Sequence, residues 1–326
     1  MSGASKSPEH SRALLMLLVA NFFWGISFPL IKALGLLHGR LVPGVGTWFS
    51  GFYTVAPRFL LATVVLVLLQ SRDFWKVTAG EWKQGLIIGA FAAAGMLFQN
   101  DGLQFTEAST SAFLTQFYAI MIPVYVALRS RRNPGTVVWF SGALVLAGVA
   151  VLGRFNWETL SFGRGEWETL LSSVFFMGQI LWLENKDFAG NRPEKITLVM
   201  FATAAAIFCV CAGATAPNLH ALLAPWTSPA WLGLTATLTL LCTLGAYLLM
   251  NTWQPRITAT EAGLIYCVEP IFGSLMALFL PGLFSIWTGI AYPNEHATLN
   301  LLVGGSLITA ANVLIQLQPP TRDQAG

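Results

Sequence analysis

Apolar residues run along this chain in blocks of about 20, parted by short polar or charged stretches, and a block of about that length at 1.5 Å rise per residue crosses a bilayer as one helix. The pattern predicts spans at about Ala13 to Leu37, Gly51 to Gln70, Trp82 to Asn100, Ala108 to Leu128 and Thr136 to Gly153. A second set follows at about Trp167 to Leu183, Ile196 to Ala214, Pro229 to Asn251, Ala262 to Leu280 and Leu299 to Leu317. The expected fold is an all-α membrane protein of ten transmembrane helices.

Composition agrees with lipid as the surrounding solvent. Of 326 residues, 55% are hydrophobic and 10% charged, against roughly 25% charged in a soluble domain. The apolar stretch after Arg12 runs on through Trp24, Pro29 and Lys32, beyond the ~7–15 residues of a secretory signal core, and is read as a retained helix. Cys209, Cys211, Cys242 and Cys267 all fall in apolar runs without metal-ligand spacing, where cysteine behaves as a small hydrophobe. The net charge of +3 is spread over short loops and forms no basic patch of the kind nucleic acid requires.

With ten spans, both termini share a side with the loops after spans two, four, six and eight. That side holds 13 of the 18 Lys and Arg residues; Lys32, Arg40, Arg58, Arg154 and Arg164 belong to the other. The positive-inside rule makes both termini cytoplasmic, in a plasma membrane that for a bacterium is the inner one.

The two sets of spans also resemble one another. At an offset of 151, Asn100 falls on Asn251, Thr110 on Glu261 and Tyr118 on Glu269. An odd number of spans per half inverts the second copy, and inverted repeats rocking about a shared midplane site are a recurrent transporter design. The expected organisation is a cytoplasmic tail (1–12), a first five-helix repeat (13–153), a connecting loop (154–166), a second five-helix repeat (167–317) and a second cytoplasmic tail (318–326).

Asn21 to Pro29, reading Asn-Phe-Phe-Trp-Gly-Ile-Ser-Phe-Pro and followed by Lys32, resembles the first-helix signature of the EamA-type transporters of the drug/metabolite transporter superfamily. Arg58-Phe59 opening the second span and the Ala262 to Pro270 stretch are similar to further elements of that family, and the likeness extends over roughly residues 12 to 318. It implies two EamA-type repeats and metabolite transport. Where relatives commonly close the ninth helix on Gly-Glu before a tight turn, this chain has Pro281-Gly282 and then Leu283 to Ala297, whose aromatic and apolar residues suit the membrane interface. That segment and the first loop, Leu37 to Ser50, are expected to form an outer lid.

Polar groups at membrane depth are costly unless paired or facing a wet cavity, which makes them the place to look for a site. Glu269 leads, about eight residues into the ninth span. Pro270 beside it lacks an N–H and is expected to kink the helix. Trp24, Tyr118, Trp182 and Tyr247 are mid-span aromatics with polar handles; Gln99, Asn100, Gln179 and Asn251 are span amides able to bind amino or carboxyl groups or to tie helices together. Lys32 and Arg58 are expected to snorkel to the non-cytoplasmic interface, with recruitment of an anion as the other reading. Glu107 and Glu261 are expected to cap helices, and Asp101 to sit at a helix end. His10, His38, His220 and His296 are assigned to tails or loops.

These residues predict no enzyme and no cofactor or metal. The predicted function is a secondary transporter, exporting or exchanging small neutral or zwitterionic metabolites such as amino acids by alternating access, with the lipid bilayer and a small-molecule substrate as partners, no nucleic acid, and a monomeric or homodimeric state. Two alternatives stand beside it: a nucleotide-sugar or phosphate-ester antiporter of the same superfamily, which needs several core cations, and a non-transporting membrane enzyme or structural bundle.

Overall fold

A computed structural model describes residues 8–70, 72–73, 75–129, 131, 135–152, 162–183, 185–257, 265–266 and 268–316, and among them every regular element is a helix. Glu261, Cys267 and most of the 258–267 stretch lie outside the described residues. In chain order the α-helices are α1 (Pro8–Leu41), α2 (Thr47–Leu69), α3 (Ala79–Gly102), α4 (Ala108–Thr115), α5 (Tyr118–Arg129), α6 (Thr136–Leu152) and α7 (Arg164–Leu183). They continue with α8 (Pro193–Thr215), α9 (Leu219–Leu223), α10 (Pro229–Thr237), α11 (Ala246–Trp253), α12 (Glu269–Ala277), α13 (Leu280–Thr288) and α14 (Leu299–Gln316).

Five stretches among the described residues are long and apolar enough to cross a bilayer: Glu9–Leu41, Thr47–Leu69, Ala108–Arg129, Pro193–Thr215 and Pro229–Arg256. The pair α12 and α13 makes a sixth, bent by 48°. Helices α3 and α7 match these in length but carry buried polar side chains, among them Gln84, Gln99, Asn100 and Asp101 in α3 and Gln179 in α7.

Lipid offers no hydrophobic drive between helices, so packing rests on close backbone approach. At Gly25 an added Cβ would stand 2.5 Å from the Phe272 Cβ, so α1 and α12 cross in direct contact. Leu68, Leu69, Val210 and Ile286 are exposed, as suits an outer surface solvated by acyl chains.

Two helices are broken where polar groups are needed. Gln116 and Phe117 form a turn between α4 and α5. On the other side α12 begins at Glu269, with Pro270 in its first turn, where a missing N–H costs nothing because that N–H would be unbonded anyway. The start of α12 thus follows closely on the helical residues Ile265 and Tyr266, beside the Pro270 at which a kink is expected. Tyr118, the first residue of α5, and Glu269, the first of α12, are 151 positions apart. Between α10 and α11 the residues Leu238–Gly245 form a π-helix, a rare winding often found at functional sites.

The end of the bundle at Leu41 and Gly102, here the distal end, is tied by long-range bonds. Asp101, fully buried, pairs with Arg164; Thr106 Oγ1 donates to Glu166 Oε1 at 2.6 Å; and Arg40 Nη1 donates to Gly289 O at 2.6 Å. Lys32 donates to Thr106 O, so its ammonium is held by a carbonyl at that end. Glu107 stands at the N-cap position of α4 without a side-chain capping bond. The carboxylate there is instead that of Glu295, which accepts from Ala108 N at 2.7 Å and Ser109 N at 3.3 Å. The first loop is much shorter than expected, because α1 continues to Leu41 and α2 begins at Thr47. That extension puts His38 inside α1, 1% exposed and stacked on Tyr53 at 4.8 Å, where a loop residue was expected; His10 lies in α1 and His220 in α9.

Candidate functional site: a central cavity

The breaks in α4–α5 and at α12 face a cavity at the middle of the bundle. Its lining comes from α1 (Trp24, Ser27, Phe28, Ile31), α2 (Arg58), α3 (Met96, Gln99), the break in α4–α5 (Thr115, Tyr118) and α7 (Phe176, Gln179, Ile180). Tyr247 and Met250 of α11, Tyr266, and Glu269 of α12 complete it. The volume open to the centres of water molecules is about 80 Å³, well above the ~10–15 Å³ that one water needs.

Of the sequence-predicted residues, Trp24, Gln99, Tyr118, Gln179, Tyr247 and Glu269 meet in this cavity. Trp24 packs edge-on against Tyr247 at 5.4 Å and tilted against Tyr266 at 6.1 Å, giving an aromatic wall from both halves of the chain. Gln99 Nε2 donates to Thr115 Oγ1 at 3.0 Å. Three predicted residues lie elsewhere. Asn251 donates from Nδ2 to Thr197 Oγ1 at 2.7 Å and ties α11 to α8. Trp182 packs on Phe188 at 5.7 Å, although the spacing from Gln179 suggested a shared face. Asn100 lines a second cavity at the distal end.

Glu269 is 8% exposed. Its Oε2 accepts from Gln116 Nε2 at 3.3 Å, so the amide in the α4–α5 break reaches the carboxylate at the start of α12. A carboxylate at a helix N-terminus is also favoured by the helix dipole.

Arg58 corrects the expectation of a snorkelling side chain. With α2 beginning at Thr47, Arg58 stands eleven residues in, about 16 Å along the helix and near its middle. It is 3% exposed and lines the cavity. Its Nε donates to Thr243 Oγ1 at 2.9 Å, and the guanidinium lies 5.1 Å from the centre of the Phe59 ring. The π-helix explains the partner: Thr243 Oγ1 donates to Leu238 O, five residues back, which holds the hydroxyl toward α2. The signal for Arg58 is in the sequence, an arginine inside an apolar run, and the helix starting at Thr47 and not at Gly51 is what carries it to mid-span.

The cavity therefore contains a guanidinium and a carboxylate that make no ion pair with one another among the described residues. Around them stand amides, hydroxyls and aromatic faces, groups able to bind a polar molecule. Among the described residues no group of three His, Cys, Asp or Glu side chains is placed to hold a metal ion.

Comparison with known proteins agrees with this architecture. Residues 11–154 match the EamA-like transporter family. An uncharacterized transporter from Archaeoglobus fulgidus is 25% identical over 329 residues, covering 97% of this chain and 89% of the relative. A protein of known crystal structure superimposes with a TM-score of 0.56 at 15% identity, over 93% of this chain and 96% of the other, a likeness of fold. The first part of the chain, residues 11–154, is thus similar to the EamA-like transporter family, and a transporter-named relative matches nearly its whole length.

Proposed function

We propose that this protein is a secondary transporter of small zwitterionic metabolites of the amino-acid type, working by alternating access about the central cavity. The observation that carries this reading is the presence of Arg58 and Glu269 in one buried cavity without a bond between them. Two buried charges left apart are costly unless a third body completes them. A molecule with a carboxylate at one end and an ammonium at the other does so, the guanidinium taking the first in a bidentate pair and Glu269 the second. Ser27, Gln99, Gln179 and Tyr247 supply neutral hydrogen bonds, and Trp24, Phe176 and Tyr266 the walls for a side chain.

Arg58 alone would suit a phosphate ester. A dianionic phosphate would then meet the Glu269 carboxylate in the same cavity, which opposes that reading.

The same proposal takes the bundle as ten helices in two inverted halves, 13–153 and 167–317, with both termini cytoplasmic in a plasma membrane. The charge asymmetry of the loops supports it, as do the helix starts at Tyr118 and Glu269, which recur at the offset that also relates Asn100 to Asn251. Counterflow in proteoliposomes with a panel of labelled amino acids and other metabolites tests the function. Wild-type protein is expected to exchange at least one amino acid, and Glu269→Gln and Arg58→Gln to exchange it only at markedly higher substrate concentration. Flux of phosphate esters alone would overturn the substrate assignment.

A further inference from the structure

Ile31 lines two cavities. One is the central cavity; the other lies toward the distal end, between α1, α2 and α3, with a volume open to water centres of about 230 Å³. Ile31 is 4% exposed and stands as the partition between them.

The distal cavity's polar lining includes Lys32, Ser50, Thr54, Asn100 and Gln104. Asn100 is 3% exposed, and its Nδ2 donates to Met96 O at 2.6 Å. That bond turns Oδ1 into a buried acceptor with no hydrogen-bond partner. A buried amide oxygen without a partner costs about 1–3 kcal/mol, a penalty a bound donor relieves. Lys32 supplies the complementary group. Its Nζ gives one hydrogen to Thr106 O and makes no ion pair among the described residues, so two of the three ammonium donors are available.

We infer that the distal cavity is a second substrate site, taking the carboxylate of an amino acid at Lys32 and its ammonium at the Asn100 carbonyl oxygen, with Ile31 as the partition a substrate passes between the two sites. The inference rests on the proposed function for the class of substrate. It adds a staging position, in which one molecule waits at the distal end while another occupies the centre.

Gly35 offers a clean way to close this site. It lies on α1, lines the distal cavity, and a Cβ built there meets nothing within 4 Å. Gly35→Leu therefore fills the cavity while improving helix propensity. The experiment is equilibrium dialysis of detergent-solubilised, full-length protein with tritiated L-amino acids, counting molecules bound per chain at the lowest ligand concentration that fills the wild type. Wild-type protein is expected to bind two, and Gly35→Leu and Lys32→Gln one each, with the remaining molecule lost when Glu269→Gln is added. One molecule on the wild type, kept by Gly35→Leu and lost in Glu269→Gln, would overturn the distal site and leave the central reading standing. No binding of any amino acid to the wild type would overturn the central reading, and the distal site with it. Lys32→Gln also serves as a check on Gly35→Leu, since it removes the charge without adding bulk.

Discussion

Two cation–carboxylate couples in this molecule are satisfied in opposite ways. Glu81, in the first turn of α3 at the end away from Leu41, is 1% exposed and saturated: its carboxylate accepts from Thr78 N at 2.8 Å and from Arg192 N, Nε and Nη2 at 3.1, 2.7 and 3.0 Å. Thr78 completes a capping box by accepting from Glu81 N, and Arg192 also reaches Lys76 O. Arg58 and Glu269 share a cavity, and each is held by one neutral partner, Thr243 and Gln116. A buried carboxylate with every acceptor site used is a clamp between the start of α3 and the turn before α8. A buried guanidinium and a buried carboxylate with one bond each are a binding site, because the missing bonds are left for a ligand.

The sharpest way to break this contrast is to neutralise each couple and compare what is lost. Arg58→Gln or Glu269→Gln is expected to weaken apparent substrate affinity by about 10- to 100-fold, the equivalent of one charged hydrogen bond at about 1.5–3 kcal/mol, while the melting temperature changes little. Unaltered exchange kinetics in both variants would remove the central cavity from the mechanism.

Glu81→Gln should do the reverse. Severing a buried pair costs about 3–5 kcal/mol, and with Arg192 42% exposed the screened figure is about 1–3 kcal/mol. Thermal unfolding in detergent is expected to shift down, with the substrate affinity of the folded fraction unchanged.

Titration sharpens the same point. Arg192 holds the Glu81 carboxyl down to about 2 from the ordinary 4.5. A depressed carboxylate contributes stability that is fully present above the ordinary value and is lost as pH falls through the folded one. Wild-type stability should therefore decline between pH 4.5 and about 2, and the Glu81→Gln protein should lack that component. Parallel curves for the two proteins would count against the clamp.

The smallest effects belong to residues that only support the site. Thr243→Val leaves the Arg58 Nε without its acceptor, and loss of a net hydrogen bond worth about 0.5–1.5 kcal/mol predicts substrate affinity roughly 2- to 10-fold weaker. Trp182→Phe, which keeps the packing on Phe188, is expected to leave affinity within error; a tenfold loss would show that Trp182 reaches the substrate by a route absent from this conformation.

Much of this was legible in the amino-acid sequence, and the reason differs from residue to residue. Long apolar runs specify helices in lipid because backbone groups there have no other partner, which is why elements fall where the hydrophobic blocks do. Glu269, Tyr247, Gln179 and Trp24 could be picked out because polar or amphipathic side chains at membrane depth are rarely idle. The fourth apolar block, however, has its one proline at Pro123, seven residues past the break at Gln116, and so does not announce it. The first loop read as fourteen residues, Leu37 to Ser50, because Gly39, Pro43, Gly44 and Gly46 look like turn signals, yet α1 carries on to Leu41.

The class, an all-helical membrane protein with an EamA-like stretch, is readable from the residues alone, since hydrophobic length and loop charge are local properties that survive without knowledge of neighbours. Only the tertiary structure decided which polar residues converge. Arg58 meets the Thr243 hydroxyl and Glu269 meets the Gln116 amide across distant stretches of chain, and these pairings depend on where α2 starts, where α4 stops and how the π-helix turns. Asn251 and Trp182 have the same composition-level credentials as Gln99 and Tyr247, but a rotation about the helix axis points them at Thr197 and Phe188 instead of the cavity. Helical phase is set by packing between helices, and packing is not a local property.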